Sequence, residues 1–200
     1  MASRPFVVPA AKTGACRGVA GEAPGSSYAG TMTTAAPFVV RPAGTRDVRR
    51  IHELLEPFVQ KRILLGKDLV VLYGSVQQFV VAEADGEVIG CGALHVMWED
   101  LGEIRTLIVH DEWLHHGVGR RIVEVLEENA RALGVSRLFC LTFEVDFFTR
   151  RGFSPIGEQV VDPDVYSQLV RSPDEGVAEF LDLAHVKPNT LGNTRMLKQL

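Results

Sequence analysis

Leu114-His115-His116-Gly117-Val118-Gly119-Arg120-Arg121 is the stretch on which the reading of this chain turns. Before it, Glu103-Ile104-Arg105-Thr106-Leu107-Ile108-Val109 has the β-branched, apolar character of a strand. After it, Val118, Ile122, Leu126, Ala130 and Leu133 recur at helical spacing, and Gly134 supplies a C-terminal stop. The stretch is therefore a strand-to-helix loop with two glycines, two residues apart, at the start of the helix. Glycines there let the backbone come close to a ligand, and the first N–H groups of a helix have no internal acceptor. With the helix dipole added, the place suits a phosphate or pyrophosphate. A dinucleotide-binding fold is disfavoured, because the third glycine of GxGxxG is missing and the motif follows a fourth strand, not a first.

The flanking sequence predicts a mixed α/β order. A strand over Phe38–Arg41 precedes a helix whose apolar residues are Val48, Ile51, Leu55 and Phe58, and Pro57 is expected to kink or end that helix. Ile63 to Tyr73 reads as a second helix or a loop. Strands are expected over Phe79–Glu83 and Val88–Val96, joined by the hairpin turn Asp85-Gly86, then over Glu103–His110 and Arg137–Thr142. Phe147-Phe148 begins a short helix that Gly152 closes. Another helix starts at Asp162 or Asp164 and reaches Leu169, and Val177–Leu183 is expected to end the pattern as a strand. Residues 1–35 are dominated by Gly, Ala, Pro, Ser and Thr and read as a disordered extension, with a transit peptide or an over-long start as other readings. Residues 36–200 read as one domain.

Composition bounds the function. The chain is 46% hydrophobic, and its 21 basic residues face 25 acidic ones, which provides no footprint for nucleic acid or an anionic membrane. Cys16, Cys91 and Cys140 lie far apart, which excludes a disulfide framework and a thiolate zinc site and suits a cytoplasmic protein. His115-His116 lacks a third nearby ligand, so no metal is expected. Cys140 has no adjacent base to make it a nucleophile.

Three features in order, the loop at 114–119, the strand Leu138-Phe139-Cys140-Leu141-Thr142, and Phe147-Phe148-Thr149-Arg150-Arg151-Gly152-Phe153, resemble the GCN5-related N-acetyltransferase (GNAT) superfamily over about residues 37–160. Gly102 to Val109 and Phe148 to Phe153 are similar to the acetyltransferase domain of bacterial N-acetylglutamate synthases, and 37–200 resembles their short actinobacterial form. Classical synthases carry an upstream amino-acid-kinase domain that binds arginine, so arginine inhibition is not implied here. The resemblance implies an α/β (α+β) fold, a central mixed, mostly antiparallel twisted sheet flanked by helices. It also implies acetyl-CoA as cosubstrate, held by Leu107, Ile108 and Val109, by Leu114, His115, His116, Gly117, Val118, Gly119 and Arg120, and by Phe148 and Arg151.

The implied reaction is acetyl transfer to the α-amino group of L-glutamate. Glu103 takes the general-base position; its other reading is an ion pair with Arg105, which strand alternation puts on the same face. The backbone N–H near Leu107 would polarise the acetyl carbonyl, and Thr142 falls where the family has a hydroxyl near the leaving sulfur. Phe148 stands where many members carry the tyrosine that protonates the thiolate. The candidate substrate contacts are Leu64, Lys67, Arg105, Thr106, Arg171 and Ser172: Arg171 with Ser172 matches the family's late Arg-x-Ser region, and Lys67 or Arg62 beside Leu64 could take the second carboxylate, since guanidinium and ammonium groups pair with carboxylates. Glutamine or another amine as acceptor, a non-catalytic acyl-CoA sensor, and a homodimer remain open from the sequence.

Overall fold

The computed structural model describes residues 37–60, 67–157, 161–183 and 193–200. The expected extension over 1–35 and Leu64 lie outside the described residues. The elements run β1 (Val39–Pro42), α1 (Val48–Gln60), α2 (Leu69–Gly74), β2 (Phe79–Ala84), β3 (Glu87–Trp98), β4 (Leu101–Val109), α3 (Val118–Ala132), β5 (Arg137–Thr142), α4 (Val145–Thr149), β6 (Ser154–Pro155), α5 (Pro163–Leu169), α6 (Glu175–Phe180) and β7 (Thr194–Gln199). They build a seven-stranded sheet in the order β1-β2-β3-β4-β5-β7-β6. Every neighbouring pair is antiparallel except β4 and β5, which run parallel.

Local chemistry accounts for most of this. Asp85 and Gly86 take φ of 49° and 82°, the positive values that a tight β2–β3 turn demands. The helical stripe Val118, Ile122, Val123, Leu126 and Ala130 packs α3 on one sheet face, over Val80, Ala82, Ile104, Leu107 and Leu138. The stripe Val48, Ile51, Leu54, Leu55 and Phe58 packs α1 on the other, over Val81, Cys91 and Ile108. Each large apolar side chain so buried is worth about 1.5–3 kcal/mol.

Two expectations are corrected. Val177–Leu183 is not a strand: Val177 and Phe180 fall within α6, and the closing strand is β7. Val177, Phe180 and Leu181 stand at the i, i+3, i+4 spacing of a helix face, and Asp174 Oδ1 accepts the Val177 N–H at 3.2 Å and caps the turn. Pro57 does not end α1, which runs on to Gln60 with the proline exposed.

Two irregularities shape the centre of the sheet. In the β3–β4 ladder Ala93 pairs Arg105 and Cys91 pairs Ile108, so Thr106 and Leu107 together oppose Gly92. This is a β-bulge, and Thr106 takes φ of 57° within it. The β4–β5 pairing stops at Glu103↔Phe139, although β4 continues to Val109 and β5 to Thr142. Beyond Glu103 the two strands part, which opens a fork between them.

Candidate active site

The loop after β4 ends one side of the fork. A short 3-10 turn at Asp111–Trp113 leads to His115 (φ 66°) and Gly117 (φ 83°), both in the left-handed region. Arg121 is the first residue of α3 whose N–H bonds back, to Gly117 O at 3.0 Å; the N–H groups of Val118, Gly119 and Arg120 precede it and have no helical acceptor. They border a cavity of about 230 Å3, whose lining includes Leu114, His115, Gly117, Arg120, Phe147 and Arg151. Buried Arg151 Nε has no hydrogen-bond partner, while Arg151 Nη1 donates to Phe147 O at 2.5 Å and the guanidinium lies 3.5 Å over the Phe147 ring. Open N–H groups at a fifteen-residue helix, arginines and an unspent guanidinium donor form a cradle for a polyphosphate.

Gly117→Ala is expected to destabilise the protein by about 1–2 kcal/mol, since a Cβ meets no neighbour there but is strained at that φ. It should raise the KM for the phosphate-bearing donor more than that for the acceptor; equal effects on both would remove the loop from donor binding.

Two of the sequence-predicted donor contacts are placed elsewhere. Phe148 is 2% exposed, edge-on to Phe147 and Phe153 in the core; Phe147 is the aromatic that lines the loop cavity. On so short a helix neighbouring residues face different ways, so one goes inward and the other to the cavity. His116 turns its ring to Trp113, with Nδ1 2.9 Å from Leu114 O, and His115 faces the cavity. Leu107, Ile108 and Val109 have buried side chains, and Val109 is the one of the three that borders the loop cavity.

On the other face of the fork lies a polar cluster. Glu103 is 0% exposed, and its Oε2 accepts from Arg105 Nε at 2.9 Å and Nη2 at 2.5 Å. Arg105 also forks onto Asp174, with Nη1 3.1 Å from Oδ2 and Nη2 3.0 Å from Oδ1. Lys67 Nζ donates to Thr106 Oγ1 at 3.1 Å, and His95 Nε2 lies 3.6 Å from Asp174 Oδ2. Gly176 of α6 closes over the cluster; a Cβ there would collide with Glu103 Oε2 and Arg105 Nη2. Glu103 Oε1 is buried without a partner.

The cluster tunes its members. Burial raises the Glu103 carboxyl above its ordinary value, and the Arg105 charge opposes that shift. Burial also pushes Lys67 down to about 8, aided by repulsion from Arg105. His95 is lowered by burial first, then by Arg105. Asp174 is held below the usual carboxylate value by hydrogen bonds and charge from Arg105, against its own burial.

The structure thus joins Glu103, Arg105, Lys67 and Thr106. His95, Asp174 and Gly176 join them without any local sequence signal. Arg171 is exposed after α5 and stands outside this cluster, and Ser172 Oγ accepts the Asp174 N–H at 3.2 Å. Arg105 spends donors on Glu103 and Asp174, so as found it is an organiser of carboxylates and not a free receiver of one. Thr142 is buried at the open end of β5, and its Oγ1 accepts the Glu144 N–H at 2.9 Å. Burial pushes Cys91 up to about 12 and Cys140 well above the ordinary thiol value, so neither is a nucleophile. Among the described residues no group of three His, Cys, Asp or Glu side chains could hold a metal ion.

The model of the acetyltransferase (GNAT) family matches residues 49–153, which span the bulged β4, the loop after it and the fork. The chain belongs to that family. This acetyltransferase is 53% identical, over 162 residues, to an amino-acid acetyltransferase of Mycobacterium tuberculosis; the match covers 80% of this chain and 92% of the relative. The M. tuberculosis protein Rv2747, solved in complex with CoA, superposes with a TM-score of 0.77 at 53% identity, covering 81% of this chain and 99% of that one. An N-acetylglutamate synthase of Neisseria gonorrhoeae, solved with CoA and N-acetyl-glutamate, gives 0.67 at 25% identity, over 84% of this chain and 36% of that one. A Pseudomonas putida amino-acid acetyltransferase is 37% identical over 131 residues, 64% of this chain but 30% of the relative's length. Among the described residues no helix is long and apolar enough to cross a membrane.

Proposed function

We propose that this acetyltransferase moves the acetyl group of acetyl-CoA to the α-amino group of L-glutamate, by direct attack in a ternary complex. Acetyl-CoA supplies an activated acyl carbon and a thiolate leaving group. The Val118–Arg120 N–H groups, Arg120 and Arg151 hold its phosphates. The fork between β4 and β5 is the path by which its thiol arm reaches Glu103. Acetylation of glutamate is the entry to arginine biosynthesis.

The observation that carries the acceptor is Lys67. It is a half-buried cation that, among the described residues, bonds a hydroxyl and forms no ion pair with a carboxylate. An ammonium withdrawn from water without a carboxylate in direct contact is under-satisfied, and an acceptor carboxylate supplies that contact. Lys67 bonds Thr106, three residues along the strand from Glu103, so an amino acid held by its carboxylate there presents its amine towards the base. The amino-acid acetyltransferase relatives and the synthase solved with N-acetyl-glutamate support the same acceptor class.

Within that complex Glu103 Oε1, unpartnered and buried, takes a proton from the ammonium and leaves a neutral amine able to attack. The N–H of Leu107, which with Thr106 opposes a single residue in the bulge, donates to the acetyl oxygen as charge builds on it. Thr142, whose oxygen already accepts from Glu144, keeps its own hydrogen for the departing sulfur.

The test is CoA thiol release from acetyl-CoA with each of the twenty amino acids. Release with glutamate alone supports the proposal. Preference for glutamine would move the acceptor, and donor binding without release would make the chain an acyl-CoA sensor. Lys67→Met should raise the glutamate KM by about tenfold or more at pH 7. In the wild type the same KM should climb as pH passes about 8, where the ammonium discharges, and the variant should lack that climb. A KM unmoved by the substitution would free Lys67 from acceptor binding.

A further inference from the structure

The stoichiometry of amine acetylation sets a requirement that Glu103 does not meet alone. The ammonium brings three protons on nitrogen. When the C–N bond forms and the C–S bond breaks, the amide keeps one proton and the thiol takes another. The third must leave the site at every turnover. Glu103 has 0% exposure, Oε2 is held by Arg105, and Gly176 covers it, so a proton on Oε1 has no direct contact with water.

His95 stands directly opposite Glu103 in the antiparallel β3–β4 ladder. Side chains so paired share a face of the sheet, with Cβ atoms about 4.5–5.5 Å apart. Its own side chain is 24% exposed and makes no hydrogen bond to Glu103 Oε1, so a proton crosses from that oxygen to the ring when the side chain turns or one water bridges them. The groups facing it are Arg105 and Glu103 from β4, Asp174 from the turn before α6, and Lys67 from the chain before α2.

None of those neighbours combines solvent contact with a free basic site near neutral pH. Arg105 and Lys67 are donors at pH 7. Asp174 is already held in its ionised form by Arg105. The imidazole is kept neutral at pH 7 by burial and by Arg105, while Asp174 Oδ2 at 3.6 Å offers a counter-charge for the imidazolium formed in passing. That separation is longer than a hydrogen bond and within ion-pair range, so the pairing forms when the imidazole is protonated.

We propose that His95 is the proton-exit residue of the transfer: it receives the third ammonium proton from Glu103 Oε1 and passes it to solvent. The inference rests on the acetyl-transfer function proposed above. It separates two tasks within the cluster, with Glu103 accepting the proton in the dark of the fork and His95 resetting it. A relay of this kind acts through another residue, so its mark is a dependence on external proton acceptors and not merely a lost rate.

The experiment compares wild type with His95→Gln and His95→Asn, both folded by circular dichroism, in weak buffer and with added imidazole. His95→Gln should lower kcat by on the order of tenfold in weak buffer, less than the usual loss of a general base, with both KM values held. Added imidazole should restore kcat in the variants and leave the wild type unchanged. The acidic limb of the wild-type kcat profile that belongs to His95 protonation should also vanish in them. A full rate for both variants in weak buffer overturns the proposal, as does a reduced rate that imidazole does not restore. Absence of thiol release from the wild type with any amino acid overturns the function reading and the proton route together. Wild-type turnover with imidazole-insensitive variants overturns the route alone.

Discussion

Glu103→Gln is expected to lower kcat by about 10²–10⁴-fold, the usual contribution of a positioned general base, while the KM for acetyl-CoA holds. The substitution is nearly isosteric and keeps an acceptor for Arg105, whose other carboxylate partner, Asp174, stays in place. Lost rate would therefore report lost basicity and not a collapsed site. The pH dependence gives a second signature. Burial lifts the Glu103 carboxyl above its ordinary value, so wild-type kcat/KM should rise with pH through that raised value as the carboxylate forms. The glutamine variant should be flat across the same interval. A fully active variant would reduce Glu103 to the ion-pair role that its bonds to Arg105 also allow.

Arg105→Met should cost about 3–5 kcal/mol of stability, read as a fall in the denaturant midpoint at unchanged slope. Arg105 is 6% exposed and stands between two carboxylates, so its removal leaves Glu103 buried and unpaired and Asp174 without its main partner. The sign of the pH effect follows. Without Arg105, burial and the Asp174 charge raise the Glu103 carboxyl further above its unfolded value, and only the Lys67 charge opposes them. The folded variant then binds more protons than the unfolded chain, so it should regain stability as pH falls from neutral towards the unfolded carboxylate value. Adding Glu103→Gln should also recover part of the loss, because the orphaned charge is gone. A cost under about 1 kcal/mol, typical of an exposed pair, would mean that the cluster is more hydrated than its burial indicates.

Several elements were legible from local pattern because their physics is local. The Asp85-Gly86 turn, the α3 stripe from Val118 to Ala130 and the two-glycine turn at its start each follow from residues within one turn or one helix face. Phe148 was harder: two aromatics side by side on a five-residue helix give no sign of which faces the core. Val177–Leu183 misled for a similar reason, since a short apolar run fits a strand or a helix until a cap decides it. The cap is Asp174, and its role as cap is tied to its role as partner of Arg105, sixty-nine residues away in the chain.

From sequence alone came the family resemblance, carried by three motifs in order along the chain, and, set by spacing within a single element, the two-glycine loop at 114–119 and the placement of Glu103 and Arg105 on one strand face. Folding supplied what spacing does not encode: a fork where β4 and β5 part, a bulge at Thr106, and a buried cluster assembled from β3, β4, Lys67 and the turn before α6. Burial is a property of packing. A histidine, an aspartate and a glycine look like any others along the chain until neighbours remove their water, and that desolvation is what gives this site its poised charges.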